Sequence, residues 1–234
     1  MSPFATPPGY NRIRVVRSFH ELLATPLRGG LNALCWERTL SGDFDEVVES
    51  IGVSDGVTTL DDSRLKALSL SAAGRTAVDV LLGDQRLLRE QGLSPVLDCV
   101  HAYPRDDSRI VPTDVHSFHV DSAPAAIDTY LCSYTGAASE GLRNDEAKRR
   151  VDIPETRAAL LRDFGGVDDD AFLAHLKETC RDLHYAQIPG ARPFSFGLGN
   201  LWRLAVDYPG SPVPPFIHRA PEPVEGQARL LLIS

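Results

Sequence analysis

Cysteine is scarce in this chain: four residues, Cys35, Cys99, Cys132 and Cys180, with no C-x-x-C pair among them. Such spacing argues against a disulfide framework or a zinc knuckle and suits reduced thiols in the cytoplasm. Long apolar runs are missing too. None approaches the ~18 residues that a bilayer span needs, and the stretch MSPFATPPGYNRIRVV lacks the hydrophobic segment of a secretory leader. Neither a membrane partner nor export is expected. Basic residues are outnumbered, 24 Lys and Arg against 32 Asp and Glu, for a net charge of −8. Nucleic acid is therefore not expected as a partner, because neutralising phosphates takes clustered positive charge. Basic residues such as Lys148, Arg149 and Arg150 sit beside acidic ones and read as a solvated face. There is no G-x-S-x-G elbow, which leaves a hydrolase triad unsupported. Gly197-Leu198-Gly199 lacks the rest of a dinucleotide fingerprint. Internal repeats and low-complexity linkers are also absent.

What remains is an ordinary globular composition, 43% hydrophobic and 24% charged. The 234 residues read as one domain, 1–234. Residues 1–11 carry three prolines and a glycine and are expected to form a loose arm. Helices are expected after Ser18 and after Asp43, each a capping residue. A further helical stretch spans 63–91, where Gly74 and Gly83 are the expected interruptions. Residues 1–94 thus read as a mostly helical layer, with one strand over 31–36.

After Pro95 the texture becomes β-rich. Strands are expected over 96–103, 110–121 and 126–134, then a polar loop over 136–152. Two helices, 154–164 and 169–183, interrupt the strands, and the insertion is placed at 154–184. Strands resume at 193–196, 201–206, 216–218 and 228–233. The whole is an α/β (α+β) chain with a β-barrel core over 95–234.

The centre of this region is the stretch DVHSFHVDSAPAAIDTYLCSYTG. On an extended strand, residues i and i+2 face the same way, so His119 and Asp121 converge on one side. His218 and Arg229 follow near the C-terminus as a third ligand and an anion-binding group. Two imidazoles and one carboxylate bind one face of Fe(II) and leave positions open for cosubstrate and dioxygen. An H-x-[DE] triplet alone is a weak signal; its strand placement and the later His and Arg add to it.

The chain here resembles the iron(II)- and 2-oxoglutarate-dependent dioxygenases, and within them a bacterial group of uncharacterised function. The residues that carry the resemblance are Phe118-His119-Val120-Asp121, Tyr134-Thr135-Gly136, His218-Arg219-Ala220-Pro221 and Arg229-Leu230-Leu231-Leu232. It covers roughly residues 95–234 through short motifs. The resemblance implies a double-stranded β-helix (a cupin-like jelly roll), iron at His119, Asp121 and His218, and 2-oxoglutarate anchored by Arg229. One departure is Leu231, where many members carry a serine or threonine. Arg203 is an alternative anchor. Tyr130, Tyr134, Arg143, Asn144 and Trp202 are candidates for a polar substrate pocket, and His116 for a supporting or substrate-facing group. His175 and His184, on or beside a helix, read as surface groups. The inserted helices are expected to cover the barrel mouth. The leading expectation is an oxygenase that oxidises, by hydroxylation, a small molecule with Fe(II), 2-oxoglutarate and dioxygen. The alternatives are an iron oxygenase that does without the cosubstrate and a non-catalytic cupin-like metal binder.

Overall fold

The run Arg229-Leu230-Leu231-Leu232-Ile233 is apolar on both faces after its first residue, as suits a strand covered on both sides. In the computed structural model, which describes residues 4–52, 54–224 and 226–234, it lies inside a seven-stranded sheet. The chain is a mixed α/β fold. Its first five strands are β1 (Ile13–Val16), β2 (Ala33–Trp36), β3 (Val57–Thr59), β4 (Val96–Val100) and β5 (Asp128–Thr135). Then come β6 (Glu140–Leu142), β7 (Ala147–Arg149), β8 (Tyr185–Gln187) and β9 (Phe194–Ser195). The last three are β10 (Leu201–Ala205), β11 (Ile217–Arg219) and β12 (Arg229–Ile233). The large sheet has the order β1-β2-β10-β5-β12-β4-β3; β11-β6-β9 and β7-β8 form two smaller sheets. All pairs are antiparallel except β1 with β2.

One face of the large sheet is covered by helices α1 (Phe19–Ala24), α2 (Phe44–Ile51), α3 (Asp62–Ala67) and α4 (Ala72–Arg89). Leu22, Val47, Leu65 and Leu81 from the helices pack with Leu34, Cys132, Leu230 and Leu232 from the strands. Side-chain caps from Ser18, Asp43, Asp61 and Ser71 start the four helices. A buried ion pair fixes α4 to the sheet. Arg38 donates to both oxygens of Asp84 at 2.7 and 2.8 Å, and the Tyr134 hydroxyl donates to Oδ2 at 2.7 Å. Loss of Asp84 would leave a buried, uncompensated guanidinium, a defect worth roughly 3–5 kcal/mol.

The other face carries Leu131, Trp202, Leu204 and Leu231, packed against Phe194, Phe196 and Phe216. Phe196 stacks on Trp202 with ring centroids 4.4 Å apart. From β4 onward the chain passes repeatedly between the large sheet and the β11-β6-β9 layer, so this aromatic core lies between them.

Several expectations are corrected. The helical stretch 63–91 breaks over Leu68–Ser71 rather than at a glycine. Gly74 lies within α4, where the absent side chain makes room for the Glu46 carboxylate that accepts from Ser71. The N-terminal region also gives β1 and β3 to the large sheet, so it is more than a helical layer. Part of the expected loose arm is outside the described residues. Phe4 and Tyr10, however, are buried, and Phe4 meets Trp202 edge-on at 4.7 Å. The strand expected over 110–121 is reduced to single-residue bridges, because Asp114 accepts from the amides of His116 and Ser117 and turns the chain there. The expected loop 136–152 contains β6 and β7.

The insertion helices are α5 (Pro154–Phe164) and α6 (Asp170–Glu178). The second stops before the expected 183, at Cys180, whose φ of 56° leaves the helical region. Both pack on Val111 and Val151 through Leu160, Phe172 and Leu176. Among the described residues, no helix is long and apolar enough to cross a membrane.

Candidate metal centre

Alternation builds the site. On β11, Phe216 joins the aromatic core between the sheets while Ile217 packs on the outer cluster with Phe118, Val120 and Leu142. His218 shares the inner face with Phe216. On the facing segment Phe118 and Val120 point outward, so His119 and Asp121 point inward. His119 and His218 exchange both backbone hydrogen bonds at 2.9 Å, which locks the register of the two imidazoles. Their ring centroids are 4.6 Å apart.

The donor atoms converge. His119 Nε2 is 4.0 Å from Asp121 Oδ1, and His218 Nε2 is 3.8 Å from Oδ2. One ligand atom from each of the three residues lies within 4.8 Å of the others. Donors about 2.1 Å from an ion stand roughly 3–3.5 Å apart, so a contraction of about 0.5–2 Å would close the set. The tautomer is right for a ligand. His119 Nδ1 faces the Ser117 carbonyl at 2.8 Å; a carbonyl only accepts, so the proton is on Nδ1 and the Nε2 lone pair is free. The Thr129 hydroxyl donates to Asp121 Oδ2 and holds that carboxylate in place. These residues fit a divalent metal ion.

Electrostatics agree with that fit. Burial, and then the neighbouring His218, push the His119 imidazole down to about 4, so it is neutral at physiological pH. Burial opposes ionisation of Asp121, but His218, the Thr129 hydroxyl and His119 together hold it below the usual carboxylate range. Both ligands are therefore in the protonation state that binds metal.

Arg229 begins β12 and points to the same face as Leu231, toward the layer that carries the triad. It is 7% exposed. Its Nε donates to the Ala137 carbonyl at 2.7 Å, and Nη2 reaches the hydroxyls of Ser139 and Ser133 at 3.0 and 3.4 Å. No carboxylate pairs with it among the described residues, and burial lowers its pKa. Ser133 lies on β5 and Ser139 just before β6, so two strands of different layers meet the guanidinium. A narrow cavity beside Arg229 is bordered by Tyr103, His116, Ala137 and Pro221. His116, a candidate from the sequence, belongs to this cavity; its Nδ1 meets the Pro221 carbonyl at 3.0 Å.

The other candidates fall elsewhere. Arg203 points to the helical side, where it pairs with Asp128 and donates to the carbonyls of Leu22, Leu23 and Thr25 at the end of α1. It is on the wrong face to replace Arg229. Tyr130 and Tyr134 lie in the same helix-covered cluster, Tyr134 bound to Asp84. Trp202 is fully buried, its Nε1 donating to the Phe196 carbonyl at 3.0 Å, and is a core residue. Arg143 pairs with Asp145 and caps the Tyr10 ring. Asn144 belongs to a network with Tyr10, Asn32 and Pro215. His184, expected on the surface, is 5% exposed and lies beside His119, ring centroids 5.6 Å apart. His184 lies just before β8, where it bridges to His119, in a stretch that the expected helix had run up to.

Comparison with family models, curated proteins and solved structures returns no match.

Proposed function

We propose that this chain is a non-haem Fe(II)- and 2-oxoglutarate-dependent oxygenase, built on a double-stranded β-helix and acting on a small molecule in the cytoplasm. The passage of strands from one layer to the other, with β12 between β4 and β5 and β11 beside the His119 segment, supports the fold. The observation that carries the function is the pairing of an inward His119, Asp121 and His218 set with a buried, carboxylate-free Arg229 on the opposing layer. Iron, when bound, would let dioxygen and 2-oxoglutarate convert a substrate C–H to C–OH, with one oxygen atom entering the product and the other the succinate formed alongside carbon dioxide. Ser117 and Thr129 keep two of the three ligands oriented and in the metal-binding protonation state. Arg229 offers a planar fork to the distal carboxylate of the cosubstrate, as guanidinium groups do for planar anions. The aromatic core of Phe196, Trp202 and Phe216 keeps water from one side of the site.

Anaerobic Fe(II) titration with and without 2-oxoglutarate tests this. The parent should bind about one equivalent of iron and develop the visible charge-transfer band of a 2-oxoglutarate chelate. His119→Ala, Asp121→Ala and His218→Ala should each lose tight iron binding and keep the fold. Iron binding by all three variants as by the parent would sink the assignment.

A further inference from the structure

One row of directly paired residues crosses the layer that holds the triad. Its successive pairs are Phe194 with Gly141, Gly141 with His218, His218 with His119, and His119 with His184. The register of β7 with β8 continues it, since Arg149 faces Tyr185 and the Arg150 amide donates to the His184 carbonyl at 2.8 Å. Directly opposed residues project to the same face of an antiparallel ladder. His184 and Arg150 therefore follow His119 on the inner face.

Both groups lack partners. His184 Nδ1 and Arg150 Nε are buried without a hydrogen bond among the described residues. No carboxylate forms an ion pair with Arg150 among the described residues either. Asp114 acts on it through space without pairing, and one oxygen of that carboxylate already accepts from the amides of His116 and Ser117. Three other arginines on or beside the strands are matched, Arg38 with Asp84, Arg203 with Asp128 and Arg219 with Glu140. An unmatched guanidinium, half-buried two strand positions from a metal ligand, has donors to give to something else. The opposite end of the row is apolar, with Phe194 and Phe196 lying over Gly141.

We propose that Arg150 and His184 form an oxyanion-binding wall beside the metal centre, so that the substrate carries a carboxylate or phosphate group. This rests on the oxygenase reading for the word substrate, but the wall consists of protein groups alone. Arg150 supplies the fork and His184 one ring nitrogen; the first directly follows β7 and the second directly precedes β8, the pair that flanks the inserted helices. Two strand spacings separate Arg150 from His119, roughly 9–10 Å, so the anionic head and the oxidised carbon belong to one small molecule.

The test is calorimetric titration of metal-free full-length protein with inorganic phosphate and, separately, propionate. The parent should bind one of the two saturably, and which one binds identifies the headgroup. Arg150→Gln should weaken that binding at least tenfold, His184→Gln by less, and Arg150→Lys should restore part of it. Arg89→Gln, an exposed arginine of α4 paired with Asp62, should leave it unchanged. Should Arg150→Gln fail to fold, Arg150→Lys carries the comparison, with an expected loss of several-fold. No saturable binding by the parent, or equal binding by parent and Arg150 variants, overturns the proposal, as does a loss confined to Arg229→Gln. A failure of the oxygenase reading would appear separately, as absent Fe(II) binding, and would leave this result standing as an anion site.

Discussion

Replacing Arg229 with glutamine separates a structural arginine from a cosubstrate anchor. The side chain makes three hydrogen bonds, to Ala137, Ser139 and Ser133, of which the last is long at 3.4 Å. Two good bonds at about 1 kcal/mol each set the structural contribution, and the cost of burying the guanidinium offsets part of it. The variant should therefore lose no more than about 2 kcal/mol of stability. Cosubstrate affinity should respond more strongly. Charge-assisted bonds to a carboxylate are worth roughly 1.5–3 kcal/mol, which corresponds to a rise in Kd of about tenfold to a hundredfold. Anaerobic titration of 2-oxoglutarate into the iron-loaded proteins measures this directly. Iron affinity itself should stay within about twofold, since Arg229 is not among the converging donors. Arg229→Lys should recover only part of the loss, because an ammonium cannot reproduce the two-pronged contact. Equal Kd values for parent and variant would refute the anchor, and no binding by the parent would favour an iron oxygenase that works without the cosubstrate.

Two further outcomes follow from the same geometry. Burial, with Arg150 beside it, pushes His184 down to about 4, against about 6.5 in an unfolded chain. Between these values the unfolded state holds more protons, so the metal-free protein should lose up to about 3 kcal/mol from this group as pH falls from 6.5 to 4. Urea unfolding at pH 7 and pH 4.5 should show a smaller pH dependence in His184→Gln; an unchanged one would mean that the imidazole is not buried neutral. Gly141→Ala places a Cβ 2.5 Å from Phe194 Cζ and 3.0 Å from Phe196 Cε1, directly across from His218. Thermal unfolding should show a loss of about 1–3 kcal/mol, with weaker iron binding as the ring shift reaches His218; parent-like values in both measurements would contradict the packing.

The parts of the fold legible in the sequence were those with a strong local signal. Capping by Ser18 and Asp43 set two helix starts, and Pro154 with Gly165 bounded α5. His119, Asp121, His218 and Arg229 were readable because each follows from i, i+2 placement or from a short motif. What escaped was non-local. Strands β3, β6, β7 and β8 are three residues each, too short for a period to declare itself, and exist because a neighbour completes their hydrogen bonds. The face of a strand was equally hidden. Tyr130, Tyr134 and Arg203 are polar enough to suggest a pocket, yet Asp84, Asp128 and the end of α1 provide partners on the helical side. No spacing rule could foresee those partners.

The same alternation explains why the triad can tolerate so little regular strand around it. A one-residue slip would turn His119 outward with Phe118 and Val120 inward, exchanging the metal ligands for the outer apolar cluster. Two interactions oppose that slip. On one side His119 exchanges two backbone bonds with His218, and on the other the amides of Val120 and Tyr185 bond to the carbonyls of Leu183 and Phe118. The second set ties the neighbours of His119 to Leu183 and Tyr185, where the inserted segment ends and β8 begins. The insertion is therefore part of what holds His119 facing Asp121 and His218, and its helices pack on Val111 and Val151 beside the β7-β8 pair. His184 and Arg150 follow His119 in the same row of paired residues, so the region that fixes the register of His119 is also the one proposed to bind the anionic group.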